Sequence, residues 1–297
     1  MFEHTSVDRR NRDNLREIKD HFLDSGKSEN LSYLSSTLGL KKNALDQYNS
    51  WYKIDDKLYY FKSHFIFNEL FLSELIKQYN LKSVTYEVVR SNGILGIMSE
   101  SIKNKKSKYF DYDLFFQHLK TRIPRNLLSL EDVISTITTE SNKEELMNAI
   151  YRLTAFDWFS GQSDRSDTNV VFEQRNGLHL APIYDNGSAL HYIPNQNGKY
   201  DRLYTTYYSS FDNLSFPTHE LEVNEDSEYL FYLINNNYEL YDYLCKSLDI
   251  NVQEVLRSTI DRYKLFVPDV DRKALVDYFD TKKRILDTTL TLAKRYN

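Results

Sequence analysis

Cysteine is nearly absent: Cys245 stands alone in 297 residues, which excludes an internal disulfide framework and every multi-cysteine zinc site. Its setting in Tyr243-Leu244-Cys245, within an apolar helical pattern, reads as inert core. Glycine, at 8 residues, and proline, at 5, are too few for collagen-like or linker-rich architectures. The seven histidines show no close pairing, so no helix-borne metal motif is present. Positive charge is in deficit: the net charge of -5 opposes direct DNA binding through a bulk basic field. No apolar run reaches membrane-spanning length, and Met1 to Asn14 is polar and mixed in charge. The expectation is a cytoplasmic globular protein with no membrane partner.

What is abundant is aromatic area. The chain holds 24 Tyr and 17 Phe within a 41% apolar composition, enough to bury a core in one large domain or two lobes. Leu15, Ile18 and Phe22, with Gly26 as a stop, predict a surface helix over 7–23. A Ser-rich stretch from Ser25 to Ser36 follows. Trp51 to Ile54 and Leu58 to Lys62, joined across Asp55-Asp56-Lys57, predict an aromatic β-hairpin. Phe67, Leu70, Phe71 and Leu75 recur at helical spacing, with Asn80 placed to end the helix. Ser83 to Arg90 and Ile94 to Ser99 predict two strands around Asn92-Gly93, a pair suited to a tight turn.

From about residue 110 the pattern becomes helical. Ser129 with Asp132, and Ser141 with Glu144, have capping-box spacing, and Leu146, Ile150, Leu153 and Phe156 predict a buried helix over 143–159. A second hairpin is expected from Val170-Val171-Phe172 and Leu178 to Ile183 around Asn176-Gly177. A polar loop over 190–220 precedes helices expected at 226–246, 251–265 and 271–295. There is no internal repeat. The layout is α+β and two-lobed: a helical extension over 1–34, a β-rich lobe over 35–100 and a helical lobe over 101–297, with a hinge near Met98 to Ser101.

The densest polar cluster, Ser163 to Asn169, lies between the buried helix and the second hairpin, whose far strand leads into Tyr184-Asp185-Asn186-Gly187. A hairpin returns the chain to its start, so Asp164, Asn169 and Asp185 converge at one end. Oxygen ligands without cysteine or paired histidine favour a hard cation such as magnesium. Phosphoryl transfer uses such a set: an acid for the acceptor hydroxyl, and Asn and Asp for the metal on the phosphates. Asp and Asn that merely cap loop turns would give the same local sequence.

In the first half, Lys62 ends a strand, where a lysine could reach nucleotide phosphates, and Glu69 lies on the next helix, where it could pair with that lysine. A solvated Lys and a surface Glu are the alternative. Gly39, after Ser35-Ser36-Thr37, could cradle phosphate through backbone N–H groups, although neither G-x-G-x-x-G nor G-x-x-x-x-G-K occurs. Lys103, Lys105, Lys106 and Lys108 read as a solvated loop rather than an RNA patch, and Tyr204, Tyr207, Tyr208 and His191 read as structural.

In order, the chain presents Ser36-Thr37-Leu38-Gly39 with Lys42, Tyr60-Phe61-Lys62, Asn68-Glu69-Leu70, Gly161-Gln162-Ser163-Asp164-Arg165 through Asn169, and Ala181-Pro182-Ile183-Tyr184-Asp185-Asn186-Gly187. Over roughly residues 35 to 265 this resembles the HipA-type bacterial Ser/Thr kinases, which include the toxins of HipA–HipB toxin–antitoxin pairs. The Asp164-Arg165 pair is also similar to that of phosphatidylinositol kinases. The resemblance implies a protein-kinase-like fold that uses ATP and Mg2+. It implies Asp164 as catalytic base, Asn169 and Asp185 as magnesium ligands, and Lys62 as the phosphate contact paired with Glu69. It further implies Met98, Ser99 and Glu100 as part of the adenine hinge, and Ser36 to Gly39 as a phosphate loop. Autophosphorylation is then expected at Ser36, with Ser35 as the second choice.

The expected activity is phosphoryl transfer from ATP to Ser or Thr of a cytoplasmic protein, such as an aminoacyl-tRNA synthetase or another translation factor. The expected partners are a small helix-turn-helix antitoxin, or a separate protein equivalent to the N-terminal subdomain of longer relatives. Three alternatives stand beside this: a pseudokinase that binds nucleotide or a partner without turnover, a lipid or small-molecule kinase on the same fold, and a purely structural member of a toxin–antitoxin complex on DNA.

Overall fold

Aromatic residues from Trp51 to Phe61 build the centre of an antiparallel sheet in the computed structural model of the chain. The structure describes residues 28–30, 49–54, 57–91, 94–103, 107–111, 137, 140–162, 169–187, 189–190, 193–194, 200–202, 234–235, 238–265, 267 and 269–296. The first sheet has five strands, β1 (Ser28–Asn30), β2 (Asn49–Ile54), β3 (Lys57–Lys62), β4 (Tyr86–Ser91) and β5 (Ile94–Glu100), in the order β1-β2-β3-β5-β4. Pairing of Ile54 with Lys57 and of Ser91 with Ile94 gives both hairpins the register of a two-residue connection. β1 pairs with β2 through Ser28, Glu29 and Asn30. The sheet thus draws a strand from the 1–34 segment expected to be a helical extension; three polar residues on a sheet edge carry no alternation from which to read it. The helix expected over 7–23 lies outside the described residues.

Between β3 and β4 runs helix α1 (Ile66–Leu75), continued by a 3-10 turn (Ile76–Tyr79) that ends at Asn80 in the left-handed region, φ 54. This is the stop the sequence predicts. Nine of the ten residues of α1 are buried, because it packs on the sheet with one face and on the C-terminal helices with another. Phe67 stacks on Phe71 with ring centroids 5.8 Å apart, and Phe71 meets Phe279 at 5.9 Å. On the opposite face of the sheet, Tyr52, Phe61, Val89 and Met98 form a second buried cluster.

The remainder is built on α2 (Lys143–Ser160), closed by Gly161 at φ 63, whose N–H reaches the Asp157 and Trp158 carbonyls. The capping box expected at Ser141 does not form. Asn142 is the N-cap, and its side chain pairs instead with the next sheet, donating to Leu178 O at 2.6 Å and accepting from Leu178 N at 3.2 Å. That sheet is β6 (Lys108–Asp111), β7 (Val171–Gln174) and β8 (Leu178–Leu180), all antiparallel. The predicted hairpin therefore gains a third strand, and Lys108 of the supposed solvated run belongs to it. Two short strands, β9 (Ile193–Pro194) and β10 (Tyr200–Arg202), pair within the stretch expected to be a polar loop. Helices α3 (Tyr238–Asp249), α4 (Val252–Tyr263) and α5 (Asp269–Tyr296) complete the described residues. Tyr79 bonds Ser247 at 2.7 Å, and Glu74 accepts from Arg262 at 2.9 Å and Tyr263 at 3.2 Å, fixing α1 to α3 and α4.

Candidate active site

Lys62 is the last residue of β3, and strand pairing sets Ile97 of β5 opposite it. Residues directly opposite share a face, so Tyr60, Ser99 and Tyr86 lie on the Lys62 side and Met98 on the other. Lys62 Nζ donates to Glu69 Oε1 at 2.6 Å and to Asp185 Oδ1 at 2.7 Å. The side chains are graded in exposure, 0% for Glu69, 11% for Lys62 and 41% for Asp185, so the carboxylate of Asp185 is the group that opens to solvent. Burial by itself lowers the Lys62 pKa, but the Glu69 and Asp185 carboxylates outweigh it and hold the ammonium well above the ordinary lysine value. At neutral pH the site presents a fixed cation beside an accessible anion.

Glu69 has further partners. Its Oε2 accepts from Tyr86 OH at 3.0 Å and from Asn186 N at 2.9 Å, and its Oε1 accepts from Gly187 N at 3.0 Å. With Lys62 this makes four donors, which is the full acceptor capacity of a carboxylate. Burial, with the adjacent Glu69 carboxylate, pushes the Tyr86 hydroxyl far above its ordinary value, so it remains a donor.

The segment carrying Asp185 is held from both lobes. Val84 N donates to Ile183 O at 3.0 Å and Ile183 N to Lys82 O at 2.8 Å, an isolated parallel bridge from the stretch that leads into β4. Gln162 Nε2 reaches Asp185 O at 3.2 Å, and Leu190 N reaches Ser160 O at 3.1 Å. Asn68 Nδ2 donates to Gly187 O at 3.0 Å and Ala189 O at 3.1 Å. Gly187 is required for close approach: a Cβ there would lie 2.9 Å from Phe65 Cβ and 3.0 Å from Lys62 Nζ.

The structure pairs Lys62 with Glu69, the contact expected from the sequence, and adds Asp185, whose contact with Lys62 the sequence does not announce. Asn169 is buried and stands two residues before β7, while Asp185 follows β8, so both sit at the open end of the hairpin. Met98, Ser99 and Glu100 are the last residues of β5 rather than an open connection, and Ser101 N still donates to Leu58 O at 2.7 Å. Met98 packs against Phe61 away from Lys62, and Glu100 pairs with Lys57 at 2.9 Å on the surface. Asp164, Ser35, Ser36 and Gly39 lie outside the described residues. Tyr86 has no local signature as a site residue, whereas Asn68 and Gln162 stand out only as members of the motifs Asn68-Glu69-Leu70 and Gly161-Gln162-Ser163-Asp164-Arg165.

Among the described residues no group of three or more His, Cys, Asp and Glu side chains could hold a metal ion. Magnesium is usually held by one or two carboxylates together with substrate phosphates. Asp185 offers an accessible carboxylate and Asn169 an amide oxygen at the same end of the hairpin, a hard-donor set that fits the ion. Among the described residues no helix is long and apolar enough to cross a membrane.

The chain has a kinase-like α+β fold, similar to those of two solved structures. The solved structure of the proinflammatory kinase CtkA from Helicobacter pylori superposes with a TM-score of 0.61 at 18% identity, covering 84% of this chain and 96% of that one. HipA of the Shewanella oneidensis MR-1 toxin–antitoxin system, solved with HipB and its operator DNA, superposes with a TM-score of 0.52 at 12% identity. That match covers 80% of this chain and 59% of HipA, so the chain spans less than two thirds of that protein's length. No family model matches the sequence, and no curated protein matches it significantly.

Proposed function

We propose that the chain is an ATP- and magnesium-dependent protein kinase that phosphorylates serine or threonine. The observation that carries this reading is the Lys62 ammonium held between a sealed carboxylate, Glu69, and a solvent-accessible one, Asp185. In this reading Lys62 contacts the ATP phosphates, Asp185 and Asn169 hold the metal, and of the expected hinge residues Ser99, on the Lys62 face at the end of β5, borders the adenine. Bound magnesium supplies neutralisation of phosphate charge. Asp164 is assigned as the base: the acceptor hydroxyl oxygen forms the new bond to the γ-phosphorus, the bond to the bridging oxygen breaks, ADP leaves, and the hydroxyl proton passes to Asp164.

The kinase name of CtkA supports the reading, and the HipA complex with HipB motivates an antitoxin partner as part of it. Ser36, with Ser35 as second choice, is the proposed autophosphorylation site. Its phosphate would add roughly -1.5 to -2 charge beside Gly39 and compete with ATP for the same backbone donors. The test is incubation of the chain and a cell lysate with γ-labelled ATP and magnesium, then mass spectrometry. Phosphoserine or phosphothreonine in the chain or in a lysate protein supports the proposal. Label confined to lipid or small molecules replaces protein with another acceptor, and ATP binding without transfer replaces catalysis with a pseudokinase role.

A further inference from the structure

Asp185 has φ 55, a left-handed conformation that a non-glycine residue keeps only where its surroundings impose it. Three side chains do so here, and each acts on the backbone after or at Asp185 rather than on its carboxylate. Gln162 holds the Asp185 carbonyl, Glu69 holds the Asn186 and Gly187 N–H groups, and Asn68 holds the Gly187 and Ala189 carbonyls. Asn68 and Glu69 are consecutive on α1. One helical turn therefore grips both the donors and the acceptors of the segment that follows Asp185.

We infer that Asn68 is a positioning residue for Asp185, and that α1 is a fixed clamp on the metal-binding segment rather than a helix that swings to switch the site. Two observations oppose a swing. Moving Glu69 away would strip four donors at once, three of them besides Lys62. Moving the helix would also break its burial on all sides and the Glu74 contacts with Arg262 and Tyr263. Asn68 supplies what Glu69 cannot: both hydrogens of its amide are spent on carbonyl oxygens, so a carboxylate at this position would face two acceptors with no proton to offer. The functional half of the inference rests on the kinase reading; the clamp itself does not.

The experiment uses the full chain as wild type, Asn68→Ala and Asn68→Asp, with two readouts. Hydrogen–deuterium exchange in peptides spanning 184–190 reads the clamp. Calorimetric ATP binding across a magnesium titration reads the position of Asp185. Exchange should rise by about tenfold in Asn68→Ala, the scale of a lost net hydrogen bond or two, and further in Asn68→Asp. The magnesium concentration for half-maximal ATP binding should rise in the same order, while metal-free ATP affinity stays at the wild-type value. A residue that only fills space would be replaced well by the isosteric Asp and poorly by Ala. Asp behaving as wild type overturns the inference, as does faster exchange with an unchanged magnesium requirement. If Asn68→Asp does not fold, the Ala variant decides on the same two readouts. If the wild type binds no ATP, the kinase reading fails, and the exchange data alone then support or overturn the clamp.

Discussion

Lys62 Nζ lies 2.7 Å from Asp185 Oδ1, across 123 residues of sequence. The proposed phosphate contact and the proposed metal ligand thus stand side by side. Phosphates on the ammonium and a cation on the carboxylate would attract one another, so nucleotide and metal should bind cooperatively.

Asp185→Ala removes the exposed carboxylate but leaves Lys62 paired with Glu69. ATP affinity in the presence of magnesium should fall by at least about tenfold, the cost of one charged metal ligand or more, while affinity without magnesium is unchanged or slightly improved. Isothermal titration in magnesium and in a chelator checks this. Equal affinities with and without Asp185 in magnesium would remove it from the metal site.

Glu69→Ala should be among the most destabilising single changes in the β-rich lobe. It leaves the buried Tyr86 hydroxyl and the Asn186 and Gly187 N–H groups without their acceptor and Lys62 with one partner. Breaking such a buried pair costs about 3–5 kcal/mol. Urea denaturation should show a lower midpoint with an unchanged slope, and a midpoint within error of wild type would contradict the network.

Two glycines test the packing around Lys62. A Cβ at Gly187 would meet Lys62 Nζ and Phe65, so Gly187→Ala should displace the ammonium and weaken ATP binding, with a stability loss of about 1–3 kcal/mol. A Cβ at Gly96 would lie 2.4 Å from the Phe61 ring and 2.7 Å from the Lys62 carbonyl, which is backbone and cannot rotate away. Gly96→Ala should be the worse of the two by thermal unfolding, and the reverse order would contradict the strand geometry.

The pH dependence follows from Lys62 and Tyr86, whose folded-state pKa values both lie above their ordinary values of 10.5 and 10.0. Below those values both states are protonated and the stabilisation is complete. As pH rises past them the unfolded chain releases protons that the native site retains, and stability falls. Wild-type urea midpoints should decline between about pH 9.5 and 11, and Lys62→Met should decline less steeply over that window. Parallel curves for the two proteins would show that the ammonium is not held as described.

Much of this site was legible because its parts sit where local pattern is strong. Lys62 ends an aromatic strand, Glu69 occupies a helix marked by Phe67, Leu70 and Phe71, and Asp185 follows a hairpin announced by Asn176-Gly177. The unreadable parts are those fixed by distant contacts. Tyr86 looks like any strand tyrosine until its hydroxyl meets Glu69. Asn142 has the composition of a helix cap, yet its amide completes the edge of β8, because Leu178 leaves both a donor and an acceptor beside it. β1 was hidden for the same reason, since an edge strand of Ser, Glu and Asn is defined by the neighbour it pairs with.

The measurement that bears most directly on the central claim is transfer of labelled γ-phosphate from ATP to protein serine or threonine, in magnesium, by wild type and Asp164→Ala at matched ATP occupancy. Transfer by the wild type is expected, with a loss of at least about a hundredfold in Asp164→Ala, the scale of a removed general base, and ATP affinity retained. A wild-type chain that binds ATP and magnesium yet transfers no phosphate, or an Asp164→Ala variant as active as the wild type, would contradict that claim.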